Sequence, residues 1–83
     1  MEWKEVTDSQ IAAVGYDPAT ETLLIRFQPA KWQEKKGLPG STYYYSFVDS
    51  DTHAALLTAS NVGAYFTEHI KADPVKYPYE KVA

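Results

Sequence analysis

The chain has 83 residues, 45% of them hydrophobic and 23% charged, with a formal net charge of −3. This describes one small domain with a single core, burying about 60–65% of the surface its unfolded chain exposes, and excludes a disordered chain. The lack of cysteine excludes disulfides, thiolate chemistry and Cys-based metal sites; no apolar run approaches the ~20 residues of a membrane span and no signal-peptide stretch follows Met1, so a cytoplasmic location without membrane contact is expected.

Met1–Val6 is a short charged opening in which Trp3 and Val6 either pack on the core edge or fray. Ile11–Tyr16 reads as the first strand. Asp17-Pro18-Ala19-Thr20 follows, with Asp and Pro at the first two positions of a type I turn. Glu21–Gln28 reads as the second strand, with Leu23, Ile25 and Phe27 on one face and Leu24 interrupting the polar one. The pair forms an antiparallel hairpin.

Pro29–Gly40 is a long inserted loop bounded by Pro29, Gly37, Pro39 and Gly40, with room for a turn or two of helix over Ala30–Lys36. Ser41–Val48 reads as the third strand because aromatic and β-branched side chains suit a pleated surface. Alternation places Tyr43, Tyr45 and Phe47 on the core face and Thr42, Tyr44, Ser46 and Val48 on the other. Asp49-Ser50-Asp51 offers N-caps for a helix over Thr52–Ala59, and Asn61 caps a second over Val62–Ala72. Val62, Phe66 and Ile70 form an apolar stripe on that helix. Pro74 stops it, leaving 74–83 as an extended tail. The expected fold is α+β: a three-stranded antiparallel meander followed by two helices packed on one face, spanning residues 1–83 as a single domain. The expected core includes Phe27, Phe47, Phe66 and Ile70.

The segments Ile-Ala-Ala-Val-Gly-Tyr-Asp, Leu-x-Ile-x-Phe, Tyr-x-Tyr and Ala-x-x-x-Gly-x-Tyr-Phe-x-x-His-Ile-Lys occur here in order, from Ile11 to Lys71. Together they resemble the KTSC domain, found at the C-terminus of some lysyl-tRNA synthetases and as free-standing bacterial and phage proteins. The resemblance runs from about Val6 to Tyr79. It implies a small α+β unit without catalytic residues, for which RNA binding is suggested by the synthetase attachment. This chain departs from the pattern at Asn61, where a Ser cap is usual, at Thr67, where Asn is usual, and in the length of the 29–40 loop.

A net charge of −3 argues against broad binding to phosphate backbones. Lys31, Glu34, Lys35 and Lys36 nevertheless carry +2, and subtracting that from −3 leaves −5 on the remainder. Around Trp32 these lysines suit a phosphorylated ligand, or they decorate a solvated loop whose Trp tucks against the sheet edge. Tyr43-Tyr44-Tyr45 is either a stacking platform for bases or core packing with hydroxyls at the rim. Asp49, Asp51 and His53 are metal-ligand types, but helix capping accounts for both carboxylates. His69 has no evident tuning partner, and the start of the last helix at Gly63 receives either a phosphate or close packing. The expected function is a non-enzymatic binding module for RNA or another nucleotide-containing ligand, with Arg26, Lys31, Trp32, Lys35, Lys36, Tyr44 and His69 as candidate ligand residues, and no metal or cofactor. The alternative is a phage-type counter-defence sponge that sequesters a small nucleotide-derived signal. A homo-oligomer is expected, because three strands with helices on one side leave an open edge and a bare face.

Overall fold

The computed structural model describes residues 2–82; Met1 of the opening segment and Ala83 of the tail lie outside them. The Asp17–Thr20 turn is closed by the Asp17 carboxylate, which accepts the Ala19 N–H at 3.0 Å. It joins β2 (Ile11–Asp17) to β3 (Thr22–Phe27) in an antiparallel hairpin. β4 (Thr42–Tyr45) pairs with β3, completing the expected meander. Two further strands flank it. β1 (Glu2–Glu5) pairs with β2 and β5 (Tyr79–Lys81) with β4, giving a five-stranded antiparallel sheet in chain order.

The expectation of three strands and two helices is therefore corrected to five strands and three helices among the described residues. Glu2–Glu5 of the opening segment and Tyr79–Lys81 of the tail are strands of the sheet. The Ser46 N–H donates to the Pro78 carbonyl and the Val82 N–H to the Thr42 carbonyl, both at 2.8 Å, pinning β5 at both ends. The inserted loop holds a short helix, α1 (Lys31–Lys35). The Gln33 side chain folds back to accept the Ala30 N–H at 2.8 Å, satisfying a donor that the helix start leaves open.

α2 (Ser50–Thr58) is capped by Asp49, whose carboxylate accepts the Thr52 N–H at 2.8 Å. α3 (Val62–Phe66) is capped by Asn61, which accepts from Ala64 at 2.9 Å. The anticipated single helix continues from α3 as a π-helical segment, Thr67–Lys71. Phe66 and Ile70 still face the sheet and are buried.

All helical contributions to the core come from one side. Val14, Tyr16, Leu23, Ile25 and Tyr45 alternate onto the sheet face that meets Leu56, Phe66 and Ile70. The ring of Phe66 packs edge-on against Phe27 at 5.7 Å and Tyr45 at 5.1 Å. Phe27 itself is half-buried.

Phe47 is the clear departure. Rather than joining the core, it is 70% exposed, with φ +63°. The strand ends at Tyr45, so alternation no longer governs it. Its neighbours are held instead: Ser46 by Pro78, and Val48 by a 2.9 Å bond from its N–H to the Glu21 carbonyl. Val48, assigned to the outer face by alternation, is fully buried, and its carbonyl accepts the Tyr16 hydroxyl at 2.7 Å.

Candidate ligand-binding surfaces

The sheet face away from the helices is built by register. Trp3, Gly15, Leu24, Tyr44 and Glu80 lie side by side across all five strands, and Glu5, Ala13, Arg26 and Thr42 form the next row. Trp3 rests on Gly15, where a Cβ would stand 3.0 Å from the ring. The Arg26 guanidinium lies 4.7 Å from the centre of the Trp3 ring, a cation–π contact that fixes the position of the charge.

At the α1 end of this face, Arg26 and Thr42 line a groove with Trp32, Leu38 and Lys81. Trp32 is 60% exposed. It is neither buried in the core nor covered by the loop. Lys31 and Lys35 share its short helix, Lys36 caps that helix, and all three are exposed. The structure thus gathers Arg26, Trp32, Lys31, Lys35 and Lys36 at one end of the molecule. Lys81 also borders this groove, although its register opposite Tyr43 sends its side chain toward the helix-bearing side; sequence reasoning missed it because only the β4–β5 pairing brings β5 to this end.

Tyr44 stands one row along the same face, half-buried, and its hydroxyl donates to the Glu80 carboxylate. That hydrogen bond and the neighbouring negative charge push the Tyr44 phenol above its ordinary pKa. His69 is not part of the cluster. It is exposed on the π-helical segment, with its ring 4.5 Å from that of Tyr65.

The opposite, helix-bearing side holds a second groove of about 500 Å³, between β4–β5 and the end of the π-helical segment. Phe27, Tyr43, Tyr45 and Tyr79 supply its aromatic walls, and Lys71 its cation. Tyr43 is half-buried rather than wholly core. Gln33 and Ser41 border both grooves, so α1 straddles the end of the sheet.

The start of α3 is already occupied by the chain itself. The Asp8 carboxylate accepts the Gly63 N–H at 3.1 Å, together with those of Gln10 at 2.8 Å and Ile11 at 2.9 Å. A Cβ at position 63 would stand 2.7 Å from Asp8 Oδ2, which explains the glycine by close approach. Burial alone pushes the Asp8 carboxyl up, but the three backbone donors outweigh it and hold its pKa below the ordinary value. Of the two readings of Gly63, close packing therefore holds over phosphate binding, because a carboxylate stands where the anion would bind. Among the described residues no three His, Asp or Glu side chains come together as a metal site. Asp49 caps its helix and His53 stacks on Tyr16, with centroids 4.2 Å apart.

A five-stranded antiparallel sheet covered on one face by short helices, with a cationic and aromatic end, defines a small mixed α/β domain with ligand-sized grooves. The profile of the KTSC domain matches residues 7–73, and the chain belongs to that family. The crystal structure of a KTSC domain protein from Yersinia pestis is similar to it, with a TM-score of 0.78 and 28% sequence identity, over 99% of this chain and 97% of that one. Among curated proteins, none matches the chain.

Proposed function

We propose that this chain is a non-enzymatic binding module for RNA or another nucleotide-containing ligand, held at the α1 end of the sheet. The observation that carries this reading is the groove shared by Arg26, Trp32 and Lys81, with Lys31, Lys35 and Lys36 exposed beside it. An indole that is 60% exposed offers a face to any base, and the surrounding cations offer charge to phosphates. Tyr44 supports the same face as a half-buried wall rather than a free hydroxyl donor, since that hydroxyl is held by Glu80. His69 lies apart and is left out of the proposed site. Glu5 and Glu80 on the same face limit the length of strand that is tolerated, so binding is weak and confined to a few nucleotides.

The test is a titration of single-stranded RNA oligomers and of adenine mononucleotides at two salt concentrations. Each phosphate engaged adds roughly 0.7 to the log–log salt slope on a single strand. Trp32→Ala is expected to weaken RNA binding about tenfold or more, and Lys35→Glu to reduce both affinity and salt slope. RNA binding that persists at high salt contradicts the reading. Tight, salt-insensitive binding of a small nucleotide, abolished by Trp32→Ala, favours the counter-defence sponge instead. The accompanying proposal of a homo-oligomer rests on the bare face carrying Trp3, Leu24 and Tyr44, and ultracentrifugation at high micromolar concentration checks it.

A further inference from the structure

The groove on the helix-bearing side lies across the sheet from the surface just described and shares only Gln33 and Ser41 with it. Strand alternation sends Phe27, Tyr43 and Tyr45 to one side of the sheet and Arg26, Thr42 and Tyr44 to the other. Its volume of about 500 Å³ suits a single small molecule. Its walls are aromatic and already mutually ordered: Phe27 meets Tyr43 edge-on at 5.8 Å, and Tyr45 stacks with Tyr79 at 5.7 Å. The interior is therefore shaped by fixed rings that offer faces and edges to another ring.

Three phenol hydroxyls of this groove are uncommitted, whereas its Gln28 and Gln33 side chains are already hydrogen-bonded to the backbone. No hydrogen bond between described residues uses the hydroxyls of Tyr43, Tyr45 or Tyr79, although Tyr16 and Tyr44 both commit theirs. Lys71 supplies one positive charge at the helix end, and Gln33 an amide on the α1 side. One lining cation, Lys71, beside aromatic walls matches a ligand with one anionic group.

We propose that Phe27, Tyr43, Tyr45, Tyr79 and Lys71 form a second binding site, which takes a planar aromatic ring bearing one anionic group. The ring lies among the tyrosines, the anion meets the Lys71 ammonium, and the free phenols hydrogen-bond to the edge of the ligand. A mononucleotide and an aryl carboxylate share this chemistry.

The experiment is a two-dimensional NMR titration of the full chain with adenosine 5′-monophosphate, adenosine and indole-3-acetate. The expected result is saturable shifts at Tyr43, Tyr45, Tyr79 and Lys71 with at least one of the two anions, and weaker binding of uncharged adenosine. Response to the monophosphate alone identifies a nucleotide, and response to indole-3-acetate alone identifies an aryl carboxylate; either supports the site. Tyr79→Ala should weaken the bound anion about tenfold, and Lys71→Ala severalfold. Both positions are exposed, and Lys71→Ala keeps the test decisive if Tyr79→Ala disturbs β5. Trp32→Ala should leave this binding unchanged while weakening RNA binding about tenfold or more, so the two sites fail separately. The proposal is overturned if no probe shifts these residues at millimolar concentration, if shifts centre on Trp32, or if Lys71→Ala binds every probe as the parent does.

Discussion

Two phenylalanines show how differently one residue type is used here. Phe66 is 1% exposed and wedged between Phe27 and Tyr45. Phe66→Ala leaves a cavity in the only core a chain of this size builds, and should cost about 3–5 kcal/mol, seen as loss of the folded state or a large fall in Tm. Phe47 sits in the left-handed region with its ring in solvent. That conformation costs an L-residue roughly 1–2 kcal/mol and a glycine almost nothing. Phe47→Gly should therefore melt at the same temperature or higher. The tyrosines set a limit at alkaline pH. Burial, helped by nearby phenols, pushes Tyr45 up to about 12, and burial followed by Glu21, Asp49 and Asp17 raises Tyr16. The unfolded chain loses these protons near the ordinary value of 10 while the folded chain keeps them. Stability is thus intact below pH 10 and declines from there to about 12. Asp8 and Asp49, both lowered, act at the opposite end, where stability present above the ordinary carboxyl range is lost as the pH falls through their folded values. Chemical denaturation across pH should show both declines, with the alkaline one shallower in Tyr45→Phe.

At the scale of elements, β1 is held by its ladder to β2 and by the Trp3 ring resting on Gly15. A methyl group at position 15 would press on the indole at 3.0–3.2 Å. Gly15→Ala should push Trp3 off β2, release the Arg26 guanidinium from its ring and increase hydrogen exchange of the β1 amides, while the β2–β3 amides remain protected. The central elements were legible because their periodicities are clean: Leu23-x-Ile25-x-Phe27 for a strand, and Val62, Phe66 and Ile70 for a helix. Asn61 was legible as a cap for the same reason, since a short polar side chain before an apolar stripe has few other uses, whereas Asp49 was one of three candidates with Ser50 and Asp51, and the helix begins at Ser50 rather than Thr52. β1 and β5 were not legible. Glu-Trp-Lys-Glu and Tyr-Glu-Lys carry one apolar residue each, and β5 buries none of its side chains, so no hydrophobic alternation records them. Alternation misplaces Phe47 because β4 ends two residues before it. The candidate site was half visible. Trp32 and its lysines stand together in sequence, whereas Lys81, Lys71 and Tyr79 join their grooves only through β5 and the end of the helical layer.

At the scale of the molecule, the two grooves meet at α1. Gln33 and Ser41 border both, so a ligand on one side touches residues that also shape the other. The long insertion is in this sense a shared wall, and the Gln33 side chain closes the start of its helix on the Ala30 N–H. Among the described residues no helix is long and apolar enough to cross a membrane.

The order of strands in the sheet has a kinetic consequence. The β2–β3 hairpin closes through a four-residue turn, whereas β5 meets β4 only across the helical layer, with Tyr44 and Glu80 36 positions apart in the chain. Closing the longer loop costs more entropy, so β5 should dock after the folding transition state, once the helices have brought the tail back. Tyr79→Ala should then speed unfolding in a denaturant-jump experiment and leave the refolding rate almost unchanged. An occupant of the tyrosine-lined groove would act on the same late step. It would lengthen the lifetime of the native state without hastening its formation.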